Sequence, residues 1–136
     1  MPRILAIDYG LKRCGIAVTD PLQLIASPLE TVETGKVLDY LKEYIEKEDV
    51  ESLVIGMPLR DDGTEPEIAS KIRAFIKVLQ KQFPSMAIHE VDERFTSKMA
   101  VNALIQGGMK KKDRRKKGNI DKVSAALILQ SYMQER

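Results

Sequence analysis

The sequence predicts an α/β domain, and three observations carry that prediction. The first third holds three strand-like runs separated by turns, the remainder alternates short apolar runs with stripes at helical spacing, and the 136 residues suit a single domain, 1–136, with its own core. The sheet should begin at the N-terminus. Ile4 to Gly10, ILAIDYG, sets four apolar residues before one carboxylate, Asp8, at a point where the chain must turn. Period-two alternation puts Ile4, Ala6 and Asp8 on one face and Leu5, Ile7 and Tyr9 on the other. A polar LKR follows, then the second run, Cys14 to Val18, so the two form an antiparallel hairpin in which Gly10 is expected to supply an unusual backbone angle. Thr19, Asp20 and Pro21 make a turn, and Leu22 to Val32 reads as a third, more exposed strand completing a meander.

Helical spacing then appears. Val37, Leu38, Leu41, Tyr44 and Ile45 form one stripe within Lys36 to Glu48, an amphipathic helix after Gly35. Ser52 to Gly56, SLVIG, is a short continuous apolar run, the form taken by a strand buried on both faces, and should lie centrally. The loop GMPLRDDGTEP leads to a second helix with Ile68, Ile72, Phe75, Ile76 and Leu79 on one side and Pro66 expected in its first turn. That loop lacks P-loop spacing, which argues against nucleotide binding by such a cradle. Phe83 and Pro84 end the helix, and Met86 to Val91 is a fifth strand containing the single histidine, His89, to which no role is assigned. Thr96 or Ser97 can cap a helix carrying Val101, Leu104 and Ile105, and Asn119 can cap the last one, with Asp121 in its first turn and Ser124, Ala125 and Ala126 permitting close approach to the sheet.

Composition narrows the function. No apolar run approaches the roughly 20 residues that span a bilayer, and no signal peptide is visible, so a cytoplasmic protein with no membrane partner is expected. Cys14 is the only cysteine, which excludes an internal disulfide and a cysteine-rich zinc site. The net charge of +2 conceals an imbalance: Lys110 to Lys117, KKKDRRKK, carries +6 in eight residues and leaves −4 for the rest. Such a segment is either a solvated loop or a grip on a polyanion, nucleic acid above all. Its flanking glycines, Gly107, Gly108 and Gly118, suggest a loop that moves until bound.

Three acids stand at positions that can converge: Asp8 ends one strand, the Asp92–Glu93 pair ends another, and Asp121 opens the last helix. Each has a plainer reading, as turn residue, surface charge or dipole partner respectively. Extended geometry puts Asp92 and Glu93 on opposite faces, so only one can join Asp8. Converging carboxylates repel unless a cation intervenes, and oxygen-only ligation suits Mg²⁺ or Mn²⁺. Two such ions beside a phosphodiester activate water and stabilise the departing oxygen. The implied chemistry is hydrolysis of a nucleic-acid backbone.

The segments DYG (Asp8 to Gly10), GMPLRDDG (Gly56 to Gly63), DERFTS (Asp92 to Ser97) and the basic loop with Ile120 to Ala126 closely resemble the YqgF family. Its members are RNase H-like proteins associated with Holliday junction resolution and with maturation of the 5′ end of the small-subunit ribosomal RNA precursor. The resemblance spans nearly the whole chain. It implies an RNase H-like fold, with a mixed five-stranded sheet flanked by helices. It also implies catalytic and metal-binding roles for Asp8, Glu93 and Asp121, with two Mg²⁺ or Mn²⁺ ions. Arg94, Lys110, Lys111, Lys112, Arg114, Arg115, Lys116 and Lys117 would hold phosphates, positioning the substrate without reading its sequence. The partner is structured RNA or branched DNA, and the protein a monomer or, for two symmetric cuts, a homodimer. A non-catalytic RNA-binding factor is the remaining reading. Aromatic residues make up only 5% of the chain, which favours backbone recognition over base stacking.

Overall fold

The computed structural model describes residues 2–58, 66–92 and 117–135, with side chains from 121 onward in the last stretch. Five strands form one sheet: β1 (Arg3–Asp8), β2 (Arg13–Thr19), β3 (Ala26–Glu33), β4 (Val50–Met57) and β5 (Ala87–Asp92), in the order β3-β2-β1-β4-β5. The meander pairs antiparallel, while β1 with β4 and β4 with β5 run parallel. The expected mixed sheet is therefore present. Its middle strand is β1, and the SLVIG run lies in β4, paired on both sides but one place from the centre.

Strand alternation divides the apolar residues between two cores. Leu5, Ile7, Cys14, Ile16, Leu53 and Ile55 face α1 (Val37–Lys47) and α2 (Ile68–Gln82), whose stripes supply Val37, Leu41, Ile72, Phe75 and Leu79. Ile4, Ala6, Ala17, Val54 and Val91 face α3 (Lys117–Glu135), which contributes Ala125, Ala126, Ile128 and Leu129. Ile4, Leu5, Ala6 and Ile7 are each at most 1% exposed, so β1 is sealed by helices on both sides. Each fully buried Leu or Ile contributes about 1.5–3 kcal/mol. Ser124 is buried on the α3 side and its hydroxyl has no hydrogen-bond partner among the described residues.

Several boundaries differ from expectation, each for a local reason. Leu22 to Ile25 do not join β3, because the Asp20 carboxylate accepts the backbone N–H groups of Leu22, Leu24 and Ile25 at 3.2, 2.9 and 2.7 Å and folds the segment back. Gln23 takes a left-handed conformation there, φ 57°, and its amide donates to the Pro2 carbonyl at 3.0 Å and to Glu51. Leu22, Leu24 and Ile25 are left exposed. Pro66 precedes α2 rather than entering its first turn, and its carbonyl accepts the Ala69 N–H at 3.0 Å. The last helix starts at Lys117, two residues before Asn119, so Asp121 lies beyond the first turn, where the dipole gives it little. The expected helix with Val101, Leu104 and Ile105 lies outside the described residues.

Candidate active site

Asp8 is the last residue of β1 and continues the face of Ile4 and Ala6, the one that α3 covers. It is half-buried. The β1–β2 turn that follows is held by the residue just after β3: the Thr34 N–H donates to the Lys12 carbonyl at 3.0 Å, and the Thr34 hydroxyl donates to the Gly10 carbonyl at 2.7 Å. Gly10 is required by crowding and not, as the sequence suggested, by an unusual angle. A Cβ there would stand 2.4 Å from the Arg13 carbonyl oxygen. Tyr9 turns to the opposite face and packs on Phe75, ring centroids 4.9 Å apart, so it has no part in the site.

Across the hairpin, Asp8 is in register with Gly15. That glycine decides where α3 lies. A Cβ on Gly15 would fall 1.9 Å from the Asp121 carbonyl oxygen and 2.8 Å from the Lys122 nitrogen, both backbone atoms. The helix backbone therefore rests on the bare strand, and Asp121 is delivered to the sheet face that carries Asp8. Arg13, two residues before Gly15 and on the same face, donates from Nε to Asp121 Oδ2 at 3.1 Å. Both side chains remain about one-third exposed, at 36% and 28%. This arginine was absent from the sequence-derived site, where LKR reads only as a polar turn.

The charge gathered here is felt through the strand. Cys14 is fully buried on the other face, with Sγ 3.6 Å from the Thr34 hydroxyl. Burial pushes its thiol above the ordinary value, hydrogen bonds from Gly10 and Thr34 oppose this, and Asp8 and Asp121 add to the rise. Both carboxylates are thus electrostatic neighbours of one buried atom.

Strand parity fixes the face of Asp92, the last residue of β5. Val91 lies in the α3 core and His89 stacks on Tyr132 of α3, ring centroids 4.9 Å apart, whereas Ile88 packs with the opposite core. Asp92 shares the parity of Ile88, so its side chain belongs to the face away from Asp8 and Asp121. Glu93, Arg94, Lys110, Lys111, Lys112, Arg114, Arg115 and Lys116 lie outside the described residues, as does the side chain of Lys117. Among the described residues no group of three His, Cys, Asp or Glu side chains forms a metal site. The two acids that are described nevertheless suit a hard divalent cation, since they offer oxygen donors alone on one sheet face. Among them, too, no helix is long and apolar enough to cross a membrane.

A family model described as "RuvX: Holliday junction resolvase" matches residues 2–135. The chain belongs to the RuvX family. This is the YqgF family of the sequence resemblance, under its other name. RuvX-family relatives named "Putative pre-16S rRNA nuclease" include one from Amoebophilus asiaticus, 53% identical over 133 residues covering 98% of this chain and 94% of the relative. Another, from Christiangramia forsetii, is 50% identical over 135 residues covering 99% and 100%. Among solved structures, Thermus thermophilus RuvC in complex with a Holliday junction substrate superposes with a TM-score of 0.58 at 20% identity, covering 98% of this chain and 96% of that one. That likeness gives this RuvX-family chain a RuvC-like RNase H fold.

Proposed function

We propose that this chain is a metal-dependent nuclease that hydrolyses phosphodiester bonds in structured RNA and matures the 5′ end of the 16S ribosomal RNA precursor in the cytoplasm. The observation that carries the reading is the seating of α3 on Gly15, which brings Asp121 to the face and the end of the sheet where Asp8 stands. Full-length relatives at about half identity bearing the pre-16S rRNA nuclease name support the substrate. Asp8, Asp121 and Glu93 are the acids assigned to Mg²⁺ or Mn²⁺. Glu93 is chosen over Asp92 because Asp92 belongs to the far face.

When bound, a pair of such ions would supply an activated water and stabilise the departing oxygen. The chain's own part is placement. The end of β1 holds Asp8 and the seating of α3 on Gly15 holds Asp121, so these two acids are placed by backbone packing. Arg94 and the cationic segment Lys110 to Lys117 neutralise backbone phosphates, drawing RNA to a body that is otherwise acidic.

The deciding experiment compares the protein with its Asp8→Asn variant on precursor ribosomal RNA with Mn²⁺ or EDTA. Cleavage should require the metal and vanish in the variant, with RNA binding and melting temperature nearly unchanged. Persistent cleavage by Asp8→Asn refutes the assignment. The family model's description favours a second reading, resolution of four-way DNA junctions, which needs a dimer presenting two sites. Including four-way junctions in the same assay, with the mass of the active species measured, separates the two.

A further inference from the structure

The Arg13–Asp121 pair places a fixed cation on a carboxylate that the metal-dependent reading assigns to a divalent ion. Arg13 Nε donates to Asp121 Oδ2 at 3.1 Å, and the two groups form an ion pair. The pair is not an accident of long flexible side chains on a helix surface. Arg13 begins β2, in register with Glu33 of β3, and the turn before it is tied by Thr34; Asp121 is tied by the seating of α3 on Gly15. Both ends are therefore held by backbone, and the ion pair is present before any ligand arrives.

We propose that Arg13 is a positioning residue that serves as the resident counter-ion of Asp121, one that the carboxylate exchanges for the divalent cation, so that this pair sets how tightly metal binds. The proposal rests on the metal-dependent reading above. Two effects oppose each other when the guanidinium is removed. Asp121 loses a restraint on its short side chain, which weakens metal binding, and the incoming cation loses a like charge beside its ligand, which strengthens it. The restraint is minor, because α3 already fixes the Asp121 backbone, whereas the repulsion involves a doubly charged ion. Electrostatic relief wins. With both side chains about one-third exposed, solvent screening limits the gain to about three- to tenfold in affinity. Once displaced, the guanidinium would remain tethered at the start of β2 on the same sheet face, with its planar fork of donors available to phosphate oxygens of the substrate.

The test titrates Mn²⁺ into the full-length protein by calorimetry, using the unsubstituted chain, Arg13→Gln, Arg13→Lys and Asp121→Asn. Arg13→Gln should bind Mn²⁺ about three- to tenfold more tightly, Arg13→Lys should stay within about twofold of the unsubstituted protein, and Asp121→Asn should lose the site. In cleavage at saturating Mn²⁺, Arg13→Gln should raise KM for RNA more than it lowers kcat. Metal affinity that is unchanged or weaker in Arg13→Gln overturns the proposal, even where loss of binding in Asp121→Asn upholds the metal site. An unsubstituted protein that binds no Mn²⁺ overturns the proposal and the metal-dependent reading together. Thermal melts of both Arg13 variants confirm that each is folded.

Discussion

Replacing Gly15 by alanine adds one methyl group and removes no functional atom, yet it should disable the site. The new Cβ would lie 1.9 Å from the Asp121 carbonyl oxygen, where ordinary contact starts near 3.4 Å, so α3 must retreat by about 1.5 Å. Both sides of that clash are backbone, and neither can rotate away. Overpacking of this kind costs about 1–3 kcal/mol, which for a chain of this size lowers Tm by about 3–10 °C. The catalytic loss should be larger, since a displacement of about 1 Å at reacting groups can cost about 10²-fold in rate. The assay is Mn²⁺-dependent cleavage of precursor RNA well below the variant's Tm, so that unfolding does not contribute. Gly35→Ala is the control, because no atom stands within 4 Å of its added Cβ. A Gly15→Ala protein that cleaves within about threefold of the unsubstituted rate refutes the idea that Asp121 must meet Asp8 across this strand.

Other outcomes follow from the same geometry. Asp92→Asn should leave cleavage within about twofold, while Glu93→Gln should reduce it by at least about 10²-fold in parallel assays; equal losses would show that parity does not choose between them. Cys14 titrates above its ordinary 9.0, and Tyr9, Tyr40 and Tyr44 above their ordinary 10.0, burial being the leading cause for each. The unfolded chain therefore releases these protons first, so stability should hold below about pH 9 and fall as pH rises further; Cys14→Ala should flatten the earliest part of that decline in Tm measured from pH 8 to 10.5. Ser124→Ala removes a buried hydroxyl that has no partner among the described residues and should raise Tm by a few degrees, on the order of 1 kcal/mol, in a calorimetric melt.

Much of the architecture was legible because it depends on local periodicity. The alternation in ILAIDYG assigned Asp8 to a sheet face, and the stripes through Leu41 and Ile72 identified two helices that the structure places on the same core. The stretch Leu22 to Ile25 misled for an equally local reason. Its apolar content suits a strand, but three hydrogen bonds to the Asp20 carboxylate and a left-handed Gln23 settle the matter, and apolar periodicity does not register either. The acids themselves could be nominated from sequence, whereas the Arg13–Asp121 pair could not, because its members are 108 residues apart and meet only through the packing of α3 on β2. Gly15 is similar. In the sequence it is a small residue in an apolar run; its meaning depends on which backbone lies above it. Asp92 sits between these cases: alternation gives it the parity of Ile88, but which core that face meets required knowing where α3 lies.

The seating of α3 on the first hairpin joins parts of the chain that are remote in sequence, with Arg13 and Asp121 separated by 108 positions. A hairpin such as β1–β2 can zip locally, whereas this contact must first close the long stretch between its members. Docking of α3 on Gly15 is therefore expected among the later steps of folding, after the strands beneath it have paired.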